Sequence, residues 1–391
     1  MPDNKNQHYV PQFYLKLFAD IYGNFNVFSL ENEVIHENVP YKDQCQKDYF
    51  YGSDLRFENK FRDMEAEWKP LFDKLLNEEE INGDDVKRIK QFAVYQRERT
   101  LAVSEHSNEA KKIQMVEFIK MQCESQNISA SLQQIEKFAE EKTKEEKPDI
   151  SLPLQNAEEC LSYTDDLNVL IVTYNTKETL ISSDAPVISV NKFLEPSVGY
   201  AMIGFVSFFP ISNNKLVVIY DAKMYTRFRD NLYVNSTDEN EVRLLNEYQL
   251  INAGKIVYGY RNDFNECFTP KVKNLRDSNR KRPAVQSLGS RKEKLLAHQP
   301  RLSIYPCSLS FATLNHDARR IPQNGRDHLT RNLDEKYIER MNFRETALML
   351  GEKTVGRHTI KEQKELRRAI RKMNQYAYRY WRRPKPRQAL R

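Results

Sequence analysis

The chain has 391 residues, 40% of them hydrophobic and 30% charged, with 11 glycines and 16 prolines. At roughly 150 residues per domain this fits two or three domains, and it excludes a collagen-like, Pro/Gly-rich or wholly disordered chain. Five scattered cysteines without a CxxC pair exclude a disulfide scaffold and a cysteine-rich zinc site, and a net charge of +6 conceals a strong internal asymmetry.

Residues 8–20, HYVPQFYLKLFAD, place Pro11 at a natural first helical position, followed by Tyr14, Leu17 and Phe18. Residues 23–30 alternate imperfectly, as in a short hairpin. A helix is expected over 55–76, with Phe61, Met64, Trp68, Leu71, Phe72 and Leu75 on one stripe. A second is expected over 84–103 through Val86, Ile89, Phe92, Ala93 and Leu101, and two more near 105–125 and 131–144. After Pro153 the character changes. Strands are expected at 168–174, 179–183, 201–209 and 215–220, then a helix at 239–253 and a strand at 255–260. A helical block followed by a strand block predicts an α+β fold, with a helical half packed on a mostly antiparallel sheet.

Beyond residue 270 the chain becomes basic. Residues 271–391 carry 31 Lys/Arg against 11 Asp/Glu, a net of +20, so residues 1–270 have a net charge of −14. The organisation expected is an acidic body (1–270), a basic polar linker without usable period (271–330) and a basic helical extension (331–391). Helices are expected over 334–350 and 360–381. The last sets Leu366, Ile370, Met373, Ala377 and Tyr380 along one face, with Lys364, Arg367, Arg368, Arg371, Lys372 and Arg379 around the rest and Arg382 and Arg383 beyond. Guanidinium groups interleaved with Tyr376, Tyr378 and Trp381 suit nucleic acid, where lysine and arginine release condensed counterions. An anionic membrane surface or an acidic protein groove would suit the same helix. No apolar signal core follows Met1, and the longest apolar stretch, residues 200–210, falls short of the ~20 residues a bilayer span needs, so a cytoplasmic protein is expected.

The most informative positions are polar residues on apolar faces. Glu58, Phe61, Glu65, Trp68 and Phe72 share one side of the first long helix, and Ile89, Phe92, Gln96 and Arg99 share one side of the next. A buried ionised group costs several kcal/mol unless paired, so these residues need each other or a ligand. One outcome is a core salt bridge, for instance Glu65 with Arg99. The other is a cleft in which Glu58 and Glu65, with Asp184 from the turn Ser183–Asp184–Ala185–Pro186, hold a divalent cation such as Mg²⁺ or Mn²⁺. His8, ahead of the first helical turn, would be held neutral by the helix dipole as a base or ligand, and Arg99 would steady a phosphate. No Walker loop, dinucleotide glycine fingerprint, HExxH or GxSxG occurs.

HYVPQFYL at residues 8–15 resembles the signature of a large, mainly bacterial family of unknown function known by its His-Tyr-Val-Pro motif. The resemblance extends through CQKDYFYG (45–52), the Glu58/Glu65 helix, YQRERT (95–100) and LISSDAPV (180–187), and ends near residue 260. It implies that His8, Glu58, Glu65, Gln96, Arg99 and Asp184 belong to one recurring pattern and converge. It supplies no reaction. The expectation is a cytoplasmic protein acting on nucleic acid, a metal-dependent hydrolase of nuclease type, with a basic arm. The alternative is a binding module whose polar cluster is a structural network.

Overall fold

The computed structural model describes residues 6–52, 55–145, 150–193, 199–228, 230–260, 264–280, 285–290, 293–298, 309–319 and 331. The chain opens with strand β1 (Asn6–His8), the short helix α1 (Gln12–Lys16) and a hairpin of β2 (Asn24–Ser29) and β3 (Val34–Pro40). Pro11 is the N-cap of α1, where its fixed φ and missing N–H cost nothing. Strand β4 (Gln46–Asp48) returns to pair with β1, setting His8 opposite Gln46. Helix α2 (Arg56–Leu76) buries the expected stripe of Phe61, Trp68, Leu71, Phe72 and Leu75.

Helix α3 (Gly83–Glu98) starts at a capping box, in which Asn82 Oδ1 accepts from the Asp84 and Asp85 amides and Asp85 accepts from the Asn82 amide. The helix expected over 84–103 breaks at Arg99. Helix α4 (Leu101–Ser125) begins afresh with Thr100 as N-cap, its Oγ1 accepting from the Val103 amide at 3.2 Å. Hydrophobic periodicity cannot register this two-residue interruption, because the apolar phase continues across it. Helices α5 (Leu132–Glu145) and α6 (Ser151–Cys160) follow; Pro153 sits in the first turn of α6, where no intrahelical N–H is lost, rather than ending the helical block.

The second half supplies β5 (Asn168–Tyr174), β6 (Ser182–Ser183), β7 (Ile188–Asn191), β8 (Phe205–Pro210), β9 (Lys215–Tyr220), β10 (Tyr233–Ser236), helix α7 (Glu239–Asn252) and β11 (Ile256–Gly259). They form two sheets. One runs β10-β5-β9-β8-β7, antiparallel except where β10 lies parallel to β5. The other, β3-β2-β11-β6, is antiparallel throughout and joins the N-terminal hairpin to β11. The expected α+β class holds. The strands expected at 179–183 and 201–209 are shorter, beginning only at Ser182 and Phe205.

The five-stranded sheet is buried on both faces, which is why β5 and β9 read as unbroken apolar runs. Val169, Ile171, Phe209, Val217 and Ile219 face the helices of the first half. Leu170, Val172, Phe208, Leu216 and Val218 face α7 and the second sheet. Phe92 of α3 packs between Trp68, Phe72 and Phe209 at ring distances of 5.3, 4.8 and 5.1 Å, locking α2 and α3 onto the sheet.

Residues 270–280, expected to open a linker, form helix α9 (Pro270–Arg280) after the short α8 (Phe264–Cys267). Val272 and Arg276 of α9 are buried, and the Arg276 guanidinium donates to the carbonyls of Ala253 and Gly254 at 2.9 and 2.8 Å, satisfying the C-terminal end of α7. A hairpin of β12 (Val285–Ser290) and β13 (Glu293–His298) follows. Leu309, Phe311 and Ala312 then join the second core, ahead of the short helix α10 (His316–Arg319). Arg331 is also buried, donating to Asp166 at 3.0 Å and to the carbonyls of Met202 and Tyr163. The helices expected over 334–350 and 360–381, and with them Lys364, Arg367, Arg368, Arg371, Lys372, Arg379, Arg382 and Arg383, lie outside the described residues.

Candidate functional site

Glu65 and Arg99 meet. Arg99, at the C-cap of α3, is fully buried (0% exposed), and its Nη2 donates to Glu65 Oε1 at 2.8 Å. Its Nε donates to Gln96 Oε1 at 2.9 Å, and Gln96 Nε2 donates to the Tyr9 carbonyl at 3.0 Å. The guanidinium lies over Phe61 and Trp68, 4.4 and 5.8 Å from their ring centres. A relay therefore runs from the His-Tyr-Val-Pro segment through α3 to α2. Its far end, Glu65, keeps 28% of its side chain open to solvent. This is the salt bridge expected of the pairing, with one exposed end. Arg99 is buried and bonded to Glu65, so it holds that carboxylate in place.

His8 ends β1 beside this relay. Its Nε2 lies 2.9 Å from the Lys42 carbonyl, which can only accept, so Nε2 carries the proton and Nδ1 keeps its lone pair. Gln12 Nε2 approaches the ring at 3.4–3.5 Å. Burial holds the imidazole below its ordinary pKa, opposed by the bond to the Lys42 carbonyl and by the charge of Glu65. The lowering expected from the sequence is present, but desolvation causes it; α1 spans only Gln12–Lys16. Tyr51 donates to the His8 carbonyl at 2.9 Å, and its phenol feels Arg99, Glu65 and Glu58. Gln7 is buried and fixes the 50–52 turn, accepting from the Tyr51 amide at 2.6 Å and donating to the Gly52 carbonyl at 3.2 Å. Neither Tyr51 nor Gln7 was among the expected site residues; the CQKDYFYG segment was the available signal.

Glu58 is half-buried. Its carboxyl is raised above the ordinary range by desolvation first and by the like charge of Glu65 second, with Arg99 and Arg62 opposing. A carboxyl raised in the folded state stabilises the fold fully below its unfolded pKa and loses that contribution as pH rises through the folded pKa. Glu58→Gln is therefore expected to raise the urea midpoint at pH 7 and leave it unchanged at pH 3, where the wild-type residue is protonated in both states. An unchanged midpoint at pH 7 would mean that the carboxylate is not penalised.

Asp184 is placed apart from this cluster. It is buried (2% exposed), and its Oδ1 and Oδ2 accept from the Gly254 and Lys255 amides at 2.6 and 2.7 Å. It joins the end of β6 to the start of β11, and its charge acts on Tyr9, Cys45 and Tyr258. The expected ligand trio of Glu58, Glu65 and Asp184 is thus divided. Among the described residues no group of three or more His, Cys, Asp or Glu side chains is placed to hold a metal ion. Cys45 is a buried thiol raised by desolvation.

The fold is of the α+β class, and in it Glu65, Gln96 and Arg99 form one hydrogen-bonded relay that His8 and Glu58 feel electrostatically. Residues 6–263 match the model of the family described as a protein of unknown function, DUF4238, and the chain belongs to that family. The match encloses all six expected body residues and ends just after β11. No curated protein and no solved structure matches the chain. Among the described residues no helix is long and apolar enough to cross a membrane.

Proposed function

We propose that the protein acts on nucleic acid as a hydrolase, with His8, Glu58 and Glu65 as its acid–base site and the basic segment 331–391 as the arm that holds the polyanion. The observation that carries this is a histidine with one nitrogen fixed as donor, sharing a partly open neighbourhood with a half-buried carboxyl and a carboxylate anchored by Arg99. Burial moves the imidazole down, which favours its neutral, proton-accepting form, and the Glu58 carboxyl up, which favours its protonated form. His8 Nδ1 takes the proton of the attacking water, and Glu65 stabilises the imidazolium that forms. Glu58, in the fraction whose carboxyl carries a proton, supplies the leaving oxygen with it. Arg99 and Gln96 hold Glu65 in place. Were a divalent ion, Mg²⁺ or Mn²⁺, to bind, Glu58 and Glu65 would be its carboxylates, and Glu58, then ionised, would no longer serve as the acid. The four described cysteines are thiols rather than disulfides, which supports a reducing, cytoplasmic location.

The second reading, an interaction module built on a structural network, is favoured by the complete burial of Gln96 and Arg99. Incubation of the full chain with single- and double-stranded DNA and RNA, with Mg²⁺, Mn²⁺ or chelator, separates the two. Cleavage by the wild type and at least a hundredfold less by His8→Ala supports the hydrolase, and loss in chelator alone assigns the ion. Binding without cleavage in any arm leaves the module. For the basic segment, replacing Arg367, Arg368, Arg371 and Lys372 with Gln should lower the slope of log affinity against log salt by about 3–4 on duplex DNA, roughly 0.9 for each phosphate no longer neutralised. An unchanged slope would move the arm to an anionic membrane surface or an acidic protein.

A further inference from the structure

Lys90 departs from the other lysines of the helical half. It lies on α3, is 5% exposed, and its Nζ donates to the Asp165 carbonyl at 2.9 Å. Lys60, Lys74 and Lys87 each pair with a carboxylate at 3.0–3.1 Å. No carboxylate of the described residues pairs with Lys90 in this way; the Asp165 and Asp166 carboxylates and the Arg331 guanidinium act on it through their charge alone. An ammonium there would bring three N–H donors to one carbonyl acceptor. The same residue lines an open cleft of about 470 Å³ between α2, α3 and the turn Leu161–Thr164, together with Glu67, Arg88, Gln91, Asp165 and the ion pair of Asp84 with Lys87. That volume is within the roughly 300–1,000 Å³ range of small-molecule sites.

We propose that this cleft takes a small carbonyl compound, an aldehyde or keto acid, which Lys90 captures as an imine. The Nζ lone pair attacks the carbonyl carbon and forms the C–N bond, while one amine proton passes to the carbonyl oxygen. The carbinolamine C–O bond then breaks, the second amine proton leaves with the hydroxyl as water, and C=N remains. No oxidant or reductant is consumed. Burial lowers the amine below its ordinary pKa, which increases the nucleophilic fraction at neutral pH. The site is separate from the His8 cluster and does not depend on the proposed hydrolysis.

The test is competitive labelling of the full wild-type chain with limiting glyoxylate and sodium cyanoborohydride at pH 7, followed by peptide mass mapping. Lys90 is expected to acquire the reduced adduct at least tenfold faster than the exposed Lys69 of α2, and to lose that advantage in urea, where the cleft is gone. Labelling of Lys90 no faster than Lys69, or an advantage that persists in urea, overturns the proposal.

Discussion

Arg99→Met is expected to cost the fold about 3–5 kcal/mol, the usual penalty for removing one partner of a buried ion pair. The guanidinium is enclosed by Phe61, Trp68, Gln96 and Glu65, so its loss strands the Gln96 oxygen, uncouples Glu65 and leaves a gap beneath two aromatic rings. Methionine fills part of the volume but cannot donate. Glu65→Gln should cost far less, about 1 kcal/mol, because that side chain is 28% exposed and its amide oxygen still accepts from Arg99. Urea titration of both variants checks the asymmetry. Equal losses would mean that the ion pair, rather than the buried cation, carries the stability. Paired with activity, the same variants separate positioning from chemistry: Glu65→Gln should fold and fail to turn over.

Asp184→Ala is expected to destabilise the chain by about 3 kcal/mol, since each hydrogen bond to a charged group contributes roughly 1.5–3 kcal/mol and the two share one carboxylate. Asp184→Asn keeps one acceptor oxygen and should lose about half as much. The carboxylate lies so close to Gly254 that a Cβ there would stand 2.7 Å from Oδ2, so only glycine admits this approach. Arg276 holds the same corner from its carbonyl side. The α7–β11 corner is therefore gripped at both its amides and its carbonyls. A loss under ~0.5 kcal/mol for Asp184→Ala, measured by urea denaturation, would show that the corner stands without it.

The long periodic elements were legible because burial imposes their period. The α2 stripe and the β5 and β9 runs follow from residues in one local window, whereas Glu65 and Arg99, 34 residues apart, were each marked as a charge on an apolar face. What escaped depends on partners distant in sequence. Strand β10, YVNS, is short and half-exposed, and only its parallel seat beside β5 makes it a strand. Asp184 reads as a turn aspartate until the amides of Gly254 and Lys255 come within reach. Helix α9 is so charged that the buried Val272 and Arg276 give no apolar period. The polar positions on apolar faces pointed to Glu65, Gln96 and Arg99, which the fold joins by hydrogen bonds. They could not show that Asp184 belonged elsewhere, because residue type alone does not distinguish a ligand from a backbone acceptor.

The pairing of β2 with β11 sets Ser29 beside Ile256 and Val27 beside Tyr258, with the rings of Phe25 and Tyr258 stacked 4.8 Å apart. During synthesis on a ribosome the first hairpin must therefore wait for more than two hundred further residues before its inner edge is covered. Until then it presents unpaired N–H and C=O groups of the kind that recruit neighbouring chains. Contacts so remote along the polypeptide favour slow folding and give nascent-chain chaperones a long interval in which to act.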